Sequence, residues 1–285
     1  LAPLVVLIGV YIAFSITSGL NIGIRHLLPI YPPVFIFAGA IMLTPWPARV
    51  GRMVVTALLL WSVREVWHVA PQFLAYFNQF AGGPENGHEV LVDSSYEWGQ
   101  DLPAVEKWLA ERAAKPGTKT PVYFSYFGNA DLGRFKINAT MLPGFFDLRS
   151  SADYGLQPGT YIISATMLHS LYGPLCGPWR TSYESLYQSL LPEIRALGSP
   201  SATPTLTANE RNQRVRLLDA LRFGRLCGYL RQRVPDARIT YGMFVFELTE
   251  AEIAKALWGV PQELRINYEI PGSEKLPQTS LDFQK

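Results

Sequence analysis

The first third of the sequence has almost no charged side chains. Across the 285 residues 17% are charged, against about 25% in ordinary soluble domains, and the deficit is concentrated before Pro84. Only five charged residues occur there: Arg25, Arg49, Arg52, Arg64 and Glu65. The rest of the chain has an ordinary polar balance, so the composition predicts two bodies of different character.

Several motifs that mark chemical sites are also missing. The sequence has no P-loop, no GxGxxG and no HExxH motif, and its four histidines lack the spacing of metal ligands. We therefore expect neither a cofactor nor a metal site. A net charge of +2 without a Lys/Arg-rich run argues against a nucleic acid partner. The spacing of Cys176 and Cys227 leaves open whether the two cysteines form a disulfide.

Three long apolar runs dominate the first 72 residues: Leu1–Ile24, Leu27–Ala48 and Met53–Val69. Crossing a bilayer core takes about 20 apolar residues, so we predict about three membrane spans over residues 1–72. The third run is the weakest, and a buried or interfacial helix is its alternative. Arg49 and Arg52 place the second loop in the cytoplasm. This topology predicts a multi-pass protein of the cell membrane whose C-terminal domain is periplasmic or extracellular.

The remaining two-thirds alternate between strand-like and helix-like segments. After a turn-rich joint over residues 73–87, we predict a soluble α/β domain with a mostly parallel sheet over residues 88–268 and a polar tail over 269–285. The predicted strands cover residues 88–94, 121–128, 159–168 and 237–248, and the predicted helices cover 102–114, 211–234 and 248–259. Thr249 and Glu252 have the spacing of a capping box ahead of the last helix.

Residues 91–109, LVDSSYEWGQDLPAVEKWL, hold the most chemically suggestive cluster. Asp93 ends a predicted strand, where α/β sheets place their ligands, and Trp98 offers a stacking surface for a sugar. The alternative is a tight structural connection between a strand and a helix. Asp101 precedes Leu102-Pro103, which favours a helix cap over a catalyst. A glycoside hydrolase that uses Asp93 and Asp101 as its two carboxylates is a further alternative.

Arg25 and His26 follow the first predicted span, on the side away from the cytoplasm. A guanidinium group binds phosphate through two parallel hydrogen bonds, so these two residues are a candidate anion site at the membrane surface. The alternative is that they anchor the second span at the interface.

Two stretches of the sequence resemble a known enzyme family. NIGIRHLLPIYP (residues 21–32) resembles the Arg-aromatic/His-Leu-Pro segment of phospholipid-carrier-dependent glycosyltransferases, the bacterial dolichyl-phosphate-mannose-protein mannosyltransferase-like group. LAYFNQFAGGPENGHEVLVDSSYEWGQDL (residues 74–102) is similar to the segment after the last membrane helix in a bacterial subgroup. That subgroup typically has Asp-Ser-Asn-Leu-Asp-Trp-Gly-Gln-Asp. Here Ser95, Tyr96 and Glu97 replace the Asn, the Leu and the central Asp.

This resemblance implies an integral-membrane enzyme that transfers a sugar from a polyprenyl-phosphate carrier to an acceptor on the non-cytoplasmic face. The family's catalytic Asp lies in an early outer loop that has no counterpart here. The resemblance therefore assigns no catalytic residue to this chain and implies that it is the C-terminal part of the enzyme. Its partners would be the carrier-linked sugar, membrane lipid and the missing N-terminal part, with Arg25 contacting the carrier phosphate. The alternative is a membrane-anchored carbohydrate-binding or assembly module without catalysis.

Overall fold

The computed structural model describes residues 2–17, 23–41, 47–115, 120–144, 156–172, 175–197, 207–260 and Leu264. The chain divides into two compact units, Leu1–Tyr96 and Glu97–Lys285. The boundary falls inside the run of residues 93–101 that carries the family resemblance, so the residues of that run belong to two different units.

The N-terminal unit begins with three helices. These are α1 (Ala2–Thr17), α2 (Tyr31–Ile41), which follows a 3-10 helix over Gly23–Ile30, and α3 (Ala48–Val69). No residue of α1 is buried, and α3 leaves large apolar side chains such as Leu60 and Trp67 exposed. The apolar runs of the sequence thus form helices whose apolar surface is mostly uncovered in the described part of the chain.

The prediction of about three membrane spans over residues 1–72 is wrong, because no described helix is both long enough and apolar enough for a crossing. The 16 residues of α1 reach ~24 Å at about 1.5 Å per residue, against a hydrocarbon core of about 30 Å. The 3-10 helix before α2 contains Pro29, and α2 itself has only 11 residues. The 22 residues of α3 include Arg49, Arg52, Arg64 and Glu65. The predicted multi-pass membrane localisation, which depended on these spans, is therefore also wrong.

The rest of the N-terminal unit consists of short helical turns around the buried ring of Tyr96. These are 3-10 turns at Phe73–Ala75, Gln79–Ala81 and Asp93–Ser95 and the short helix α4 (Gly87–Val90). The strand predicted over residues 88–94 is therefore absent. The Tyr96 hydroxyl donates to the Pro84 carbonyl at 2.8 Å, and its ring contacts Phe77 edge to face. Phe77 lies so close to Gly87 that a Cβ there would be 2.3 Å from the ring. These packing contacts override the β propensity of the segment.

The described part of the C-terminal unit contains a five-stranded sheet. Its strands are β1 (Val122–Ser125), β2 (Thr140–Met141), β3 (Gly159–Ser164), β4 (Ala237–Arg238) and β5 (Met243–Leu248), in the order β2-β1-β3-β5-β4. β1 is parallel to β2 and β3, whereas β5 is antiparallel to β3 and β4. The predicted mostly parallel sheet is wrong. Residues 237–248, predicted as one strand, turn back on themselves as a hairpin that adds the antiparallel pairs.

Helices cover this sheet and form a second core beside it. They are α5 (Leu102–Ala113), α6 (Ala165–Leu168), α7 (Thr181–Leu197), α8 (Ala208–Leu230) and α9 (Glu250–Trp258). Leu102 and Val105 of α5 pack on the sheet with Phe124 and Ile162. The predicted capping box of α9 is confirmed, because Thr249 and Glu252 each bond to the other's backbone N–H. Helix α7, which we did not predict, contains Pro192.

A buried ion pair connects α7, α8 and α9. The Arg225 guanidinium contacts the Glu184 carboxylate at 2.9 and 3.2 Å and donates to the carbonyls of Ala256 and Gly259. Glu184 also accepts from the Trp179 indole at 2.8 Å. Burial alone would raise the pKa of Glu184, but the hydrogen bonds from Arg225 and its neighbours outweigh burial and hold that pKa below its ordinary value. The charges are therefore compensated within the protein.

Candidate functional site

Two glycine-containing loops meet at the carboxyl end of β1. One covers residues 97–101 ahead of α5, and the other covers residues 126–130 after β1. Gly99 has a φ of 82° and Gly128 a φ of 154°, which other residues rarely adopt. A Cβ on Gly128 would lie 3.2 Å from the Gly99 Cα and 2.8 Å from the Tyr126 ring. The glycines therefore permit the close approach of the two loops, which we call the Trp98 corner.

Trp98 is the exposed aromatic residue of this corner. Its side chain is 47% exposed, yet its ring packs edge to face on Phe127 with 4.9 Å between centroids. Phe127 in turn stacks on Tyr172 at 5.3 Å. The Trp98 backbone N–H donates to the Gln100 side-chain oxygen at 2.6 Å. An indole ring that packs on a neighbouring ring and is about half exposed offers a preformed apolar surface for a ligand.

Glu97 is the first residue of the Trp98 corner and is fully buried. Its Oε1 accepts the backbone N–H of Thr166 at the start of α6, while its Oε2 has no hydrogen-bond partner among the described residues. Burial raises the pKa of Glu97 to about 8, although hydrogen bonds from Thr166 and Ser164 oppose the rise. Glu97 is therefore mostly protonated at neutral pH and joins the loop to α6 without adding a charge.

Asp101 occupies the predicted N-cap position of α5, with Leu102-Pro103 in the first turn, but its side chain makes no capping hydrogen bond. The side chain is instead buried, with 3% of the residue exposed. The Gln100 amide donates to it at 3.3 Å. Burial raises the pKa of Asp101 to about 6, and the nearby Thr240 hydroxyl offsets part of the rise. The glycoside hydrolase alternative, which needs Asp93 and Asp101 to flank one cleft, stays a prediction, because the two residues lie in different units.

The other predicted site residues lie in the N-terminal unit. Asp93 is half-buried and begins a 3-10 turn with a φ of 73°, so it does not stand at the end of a strand. The backbones of Arg25 and His26 belong to the 3-10 helix Gly23–Ile30, and their side chains lie outside the described residues. The structure thus places Trp98 in a corner of the C-terminal unit and leaves the predicted phosphate contact of Arg25 and His26 as a prediction.

The two cysteines, whose pairing the sequence left open, are both free thiols. Cys176 is exposed and Cys227 is buried, and burial raises the pKa of Cys227 to about 12. Within the described ranges, no group of three or more His, Cys, Asp or Glu side chains is placed to hold a metal ion. Neither observation adds a residue to the candidate site.

Sequence reasoning missed two residues on which the Trp98 corner depends. In the sequence Glu97 stands out only as a departure from the family's Asp, because its contact with Thr166 spans 69 positions along the chain. Phe127 was assigned to a buried strand without any role at the site. The sequence carries one signal for the position of Phe127, because Gly128 marks a turn and therefore places Phe127 at the end of the predicted strand.

Comparisons of the chain with protein-family models, curated proteins and solved structures give no match. A likeness to a characterised protein therefore adds nothing to the geometry described above. The functional assignment depends on the residues of the Trp98 corner and on the motif resemblance of residues 21–32 and 74–102.

Proposed function

We propose that this chain is part of an enzyme that transfers a sugar from a polyprenyl-phosphate carrier to an acceptor, and that the Trp98 corner binds sugar. The observation that carries the proposal is that Trp98 is about half exposed and packs on Phe127. The two residues lie on separate loops that approach closely at Gly99 and Gly128. Trp98 and Gly99 lie within residues 74–102, one of the two stretches that resemble carrier-dependent glycosyltransferases.

The chemistry of the corner suits a sugar ring. One face of a hexose presents C–H groups that pack on an aromatic ring, and its hydroxyls require polar partners at the edge. The exposed Gln100 side chain is the polar group next to Trp98, and it bonds to the Trp98 N–H and to Asp101. The ring is already held by Phe127, so little conformational entropy is lost when a sugar binds.

Arg25 and His26 keep their predicted role as carrier-phosphate contacts in this proposal. Positive charge beside the phosphate would stabilise the leaving group as the bond between the sugar and the phosphate breaks. No residue of this chain is assigned as the base that activates the acceptor hydroxyl. The chain's part in the reaction is thus binding and orientation.

One observation favours a second candidate function, a carbohydrate-binding or assembly module without catalysis. The carboxyl groups at the corner, Glu97 and Asp101, are both buried and hydrogen-bonded within the protein, so neither presents an exposed carboxylate beside Trp98. Binding without chemistry is what this geometry offers by itself. Retained sugar binding together with no detectable sugar transfer would favour the module over the transferase.

The proposal is tested by Trp98→Ala in the protein made from its complete gene. We expect kcat/KM for transfer from polyprenyl-phosphate mannose to fall about 10-fold, because the stacking surface is lost. Trp258→Ala is the matched control, since Trp258 is 50% exposed, close to the 47% of Trp98, but lies on α9. Trp98→Phe, which keeps an aromatic face, should retain most of the activity.

Two results would overturn the sugar-binding role of Trp98. One is an unchanged kcat/KM in Trp98→Ala, and the other is an equal loss in Trp258→Ala. The melting temperature of each variant, measured in the same preparations, separates a loss of binding from a loss of folding.

A further inference from the structure

The two loops of the Trp98 corner are both bonded to the junction between β3 and α6. Glu97, on the first loop, accepts the backbone N–H of Thr166. Phe127, on the second loop, donates its backbone N–H to the Ser164 hydroxyl at 3.1 Å. Ser164 and Thr166 are fully buried. One junction thus holds Glu97, the residue next to Trp98, and Phe127, on which the Trp98 ring packs.

The bond between Glu97 and this junction favours a neutral carboxyl group. The side chain is fully buried, and its Oε2 has no hydrogen-bond partner among the described residues. The same part of the chain supplies no ion-pair partner for it. A buried charge without a counter-charge is strongly destabilising. Loss of the Glu97 proton therefore weakens the attachment of the first loop.

The groups that face Glu97 on its own loop and at the junction do not change this balance. Burial is the main cause that raises the pKa of Glu97 to about 8, and repulsion from the Asp101 carboxylate adds to it. The pKa of Asp101 is about 6, so Asp101 is already charged when Glu97 titrates. The Ser164 and Thr166 groups lower the pKa of Glu97, but they are neutral and cannot compensate a charge.

Helix α8 packs against α6, and its polar groups there bond to other atoms. The Cys227 thiol lies 3.7 Å from the Met167 carbonyl oxygen, and the Arg231 guanidinium donates to the His169 carbonyl at 3.2 Å. Burial raises the pKa of Cys227 to about 12, so this thiol keeps its proton over the range in which Glu97 titrates. Neither group of α8 is bonded to Glu97.

We propose that Glu97 is a pH-dependent positioning residue for Trp98. With its proton, Glu97 holds the loop of residues 97–101 against the start of α6 and keeps the Trp98 ring on Phe127. When the proton passes to water, the charged carboxylate leaves this dry site, and the Trp98 ring moves off Phe127. Movement of the ring is expected whether or not Trp98 binds sugar, whereas the accompanying loss of sugar affinity rests on the proposed function.

The test follows the tryptophan rings by fluorine NMR of the full chain labelled with fluorotryptophan, over about pH 6.5 to 9.5. Single Trp→Phe variants assign the signals. We expect the Trp98 signal to shift with a midpoint near pH 8, where Glu97 loses its proton. The signal of Trp258, which is 50% exposed on α9, should stay in place.

Three variants identify the group that titrates. Glu97→Gln should abolish the shift, because an amide is neutral at every pH of the titration. Glu250→Gln, at an exposed position on α9, is the matched control and should retain the shift. Asp101→Asn should move the midpoint to lower pH, because the repelling charge is gone. This third variant keeps the test decisive even if Glu97→Gln folds poorly.

Three results would overturn the positioning role. The first is a Trp98 signal that stays constant over the whole pH range, and the second is an unchanged transition in a folded Glu97→Gln variant. The third is a midpoint that does not move to lower pH in a folded Asp101→Asn variant.

Titration with methyl mannoside, methyl glucoside and methyl galactoside at about pH 7 and pH 9 separates this role from the proposed function. We expect the affinity for a bound sugar to fall about 10-fold between the two pH values, because only about one-tenth of the chains keep the Glu97 proton one unit above its pKa. Glu97→Gln should show no such fall. If the Trp98 signal shifts near pH 8 but none of the sugars binds at either pH, sugar binding is wrong and the positioning role stands.

Discussion

Arg225→Ala is expected to lower the free energy of unfolding by about 3–5 kcal/mol. The substitution leaves the Glu184 carboxylate buried without its bidentate partner and removes the donors to the Ala256 and Gly259 carbonyls. Chemical denaturation monitored by tryptophan fluorescence would measure the loss. Arg216→Ala, an exposed arginine on the same helix, is the matched control and should change stability by less than about 0.5 kcal/mol.

A double variant separates the buried charge from the lost packing. In Arg225→Ala combined with Glu184→Gln, the uncompensated carboxylate is gone, although the new amide can still accept the Trp179 indole N–H. We expect the double variant to be about 1–3 kcal/mol more stable than the sum of the two single effects. Additive effects, or a loss below about 1 kcal/mol in Arg225→Ala, would show that the buried pair does not hold α7, α8 and α9 together.

Glu97→Gln is expected to stabilise the protein at pH 8 and to remove part of its pH dependence. The ordinary pKa of a Glu is 4.5 and the folded-state pKa of Glu97 is about 8. Between these two values the unfolded chain loses the proton while the folded chain keeps it. The free energy of unfolding therefore falls as pH rises from about 4.5 to 8. A neutral amide has no such penalty, and its oxygen can still accept the Thr166 N–H.

The expected gain for Glu97→Gln is about 4 kcal/mol at pH 8 and close to zero at pH 4.5. Denaturant titrations at pH 4.5, 6 and 8 would measure it. Glu250→Gln, at an exposed position in the first turn of α9, is the control for the loss of one carboxylate. If the unchanged protein and Glu97→Gln have parallel stability curves over this pH range, Glu97 is not held protonated by the fold.

Elements with strong local signals could be predicted from the sequence. The segment LPAVEKWLAERAA has apolar residues at helical spacing and a proline in its first turn, and it forms α5. The Thr249–Glu252 capping box marks the start of α9. These signals are contained within a few residues, so they remain valid whatever surrounds them.

Features set by distant contacts could not be predicted. The strand-like alternation of HEVLVDS gives way to α4 because Phe77 packs over Gly87. The burial of Glu97 depends on Thr166, and the hairpin of β4 and β5 depends on the pairing of β5 with β3. The membrane prediction was wrong because apolar content alone does not determine the type and length of a helix. Among the described residues, a 3-10 helix over Gly23–Ile30 precedes α2, which has 11 residues.

The central claim is that Trp98 is the sugar-binding surface of the C-terminal unit. The most direct measurement is an NMR titration that monitors the indole N–H signals of the seven tryptophans. Methyl mannoside, methyl glucoside and methyl galactoside are added in separate titrations, and single Trp→Phe variants assign the signals. We predict that at least one of the three sugars shifts the Trp98 signal in a saturable way while the equally exposed Trp258 signal stays in place. A Trp98 signal that none of the sugars moves, or that moves no more than the Trp258 signal, would contradict the account.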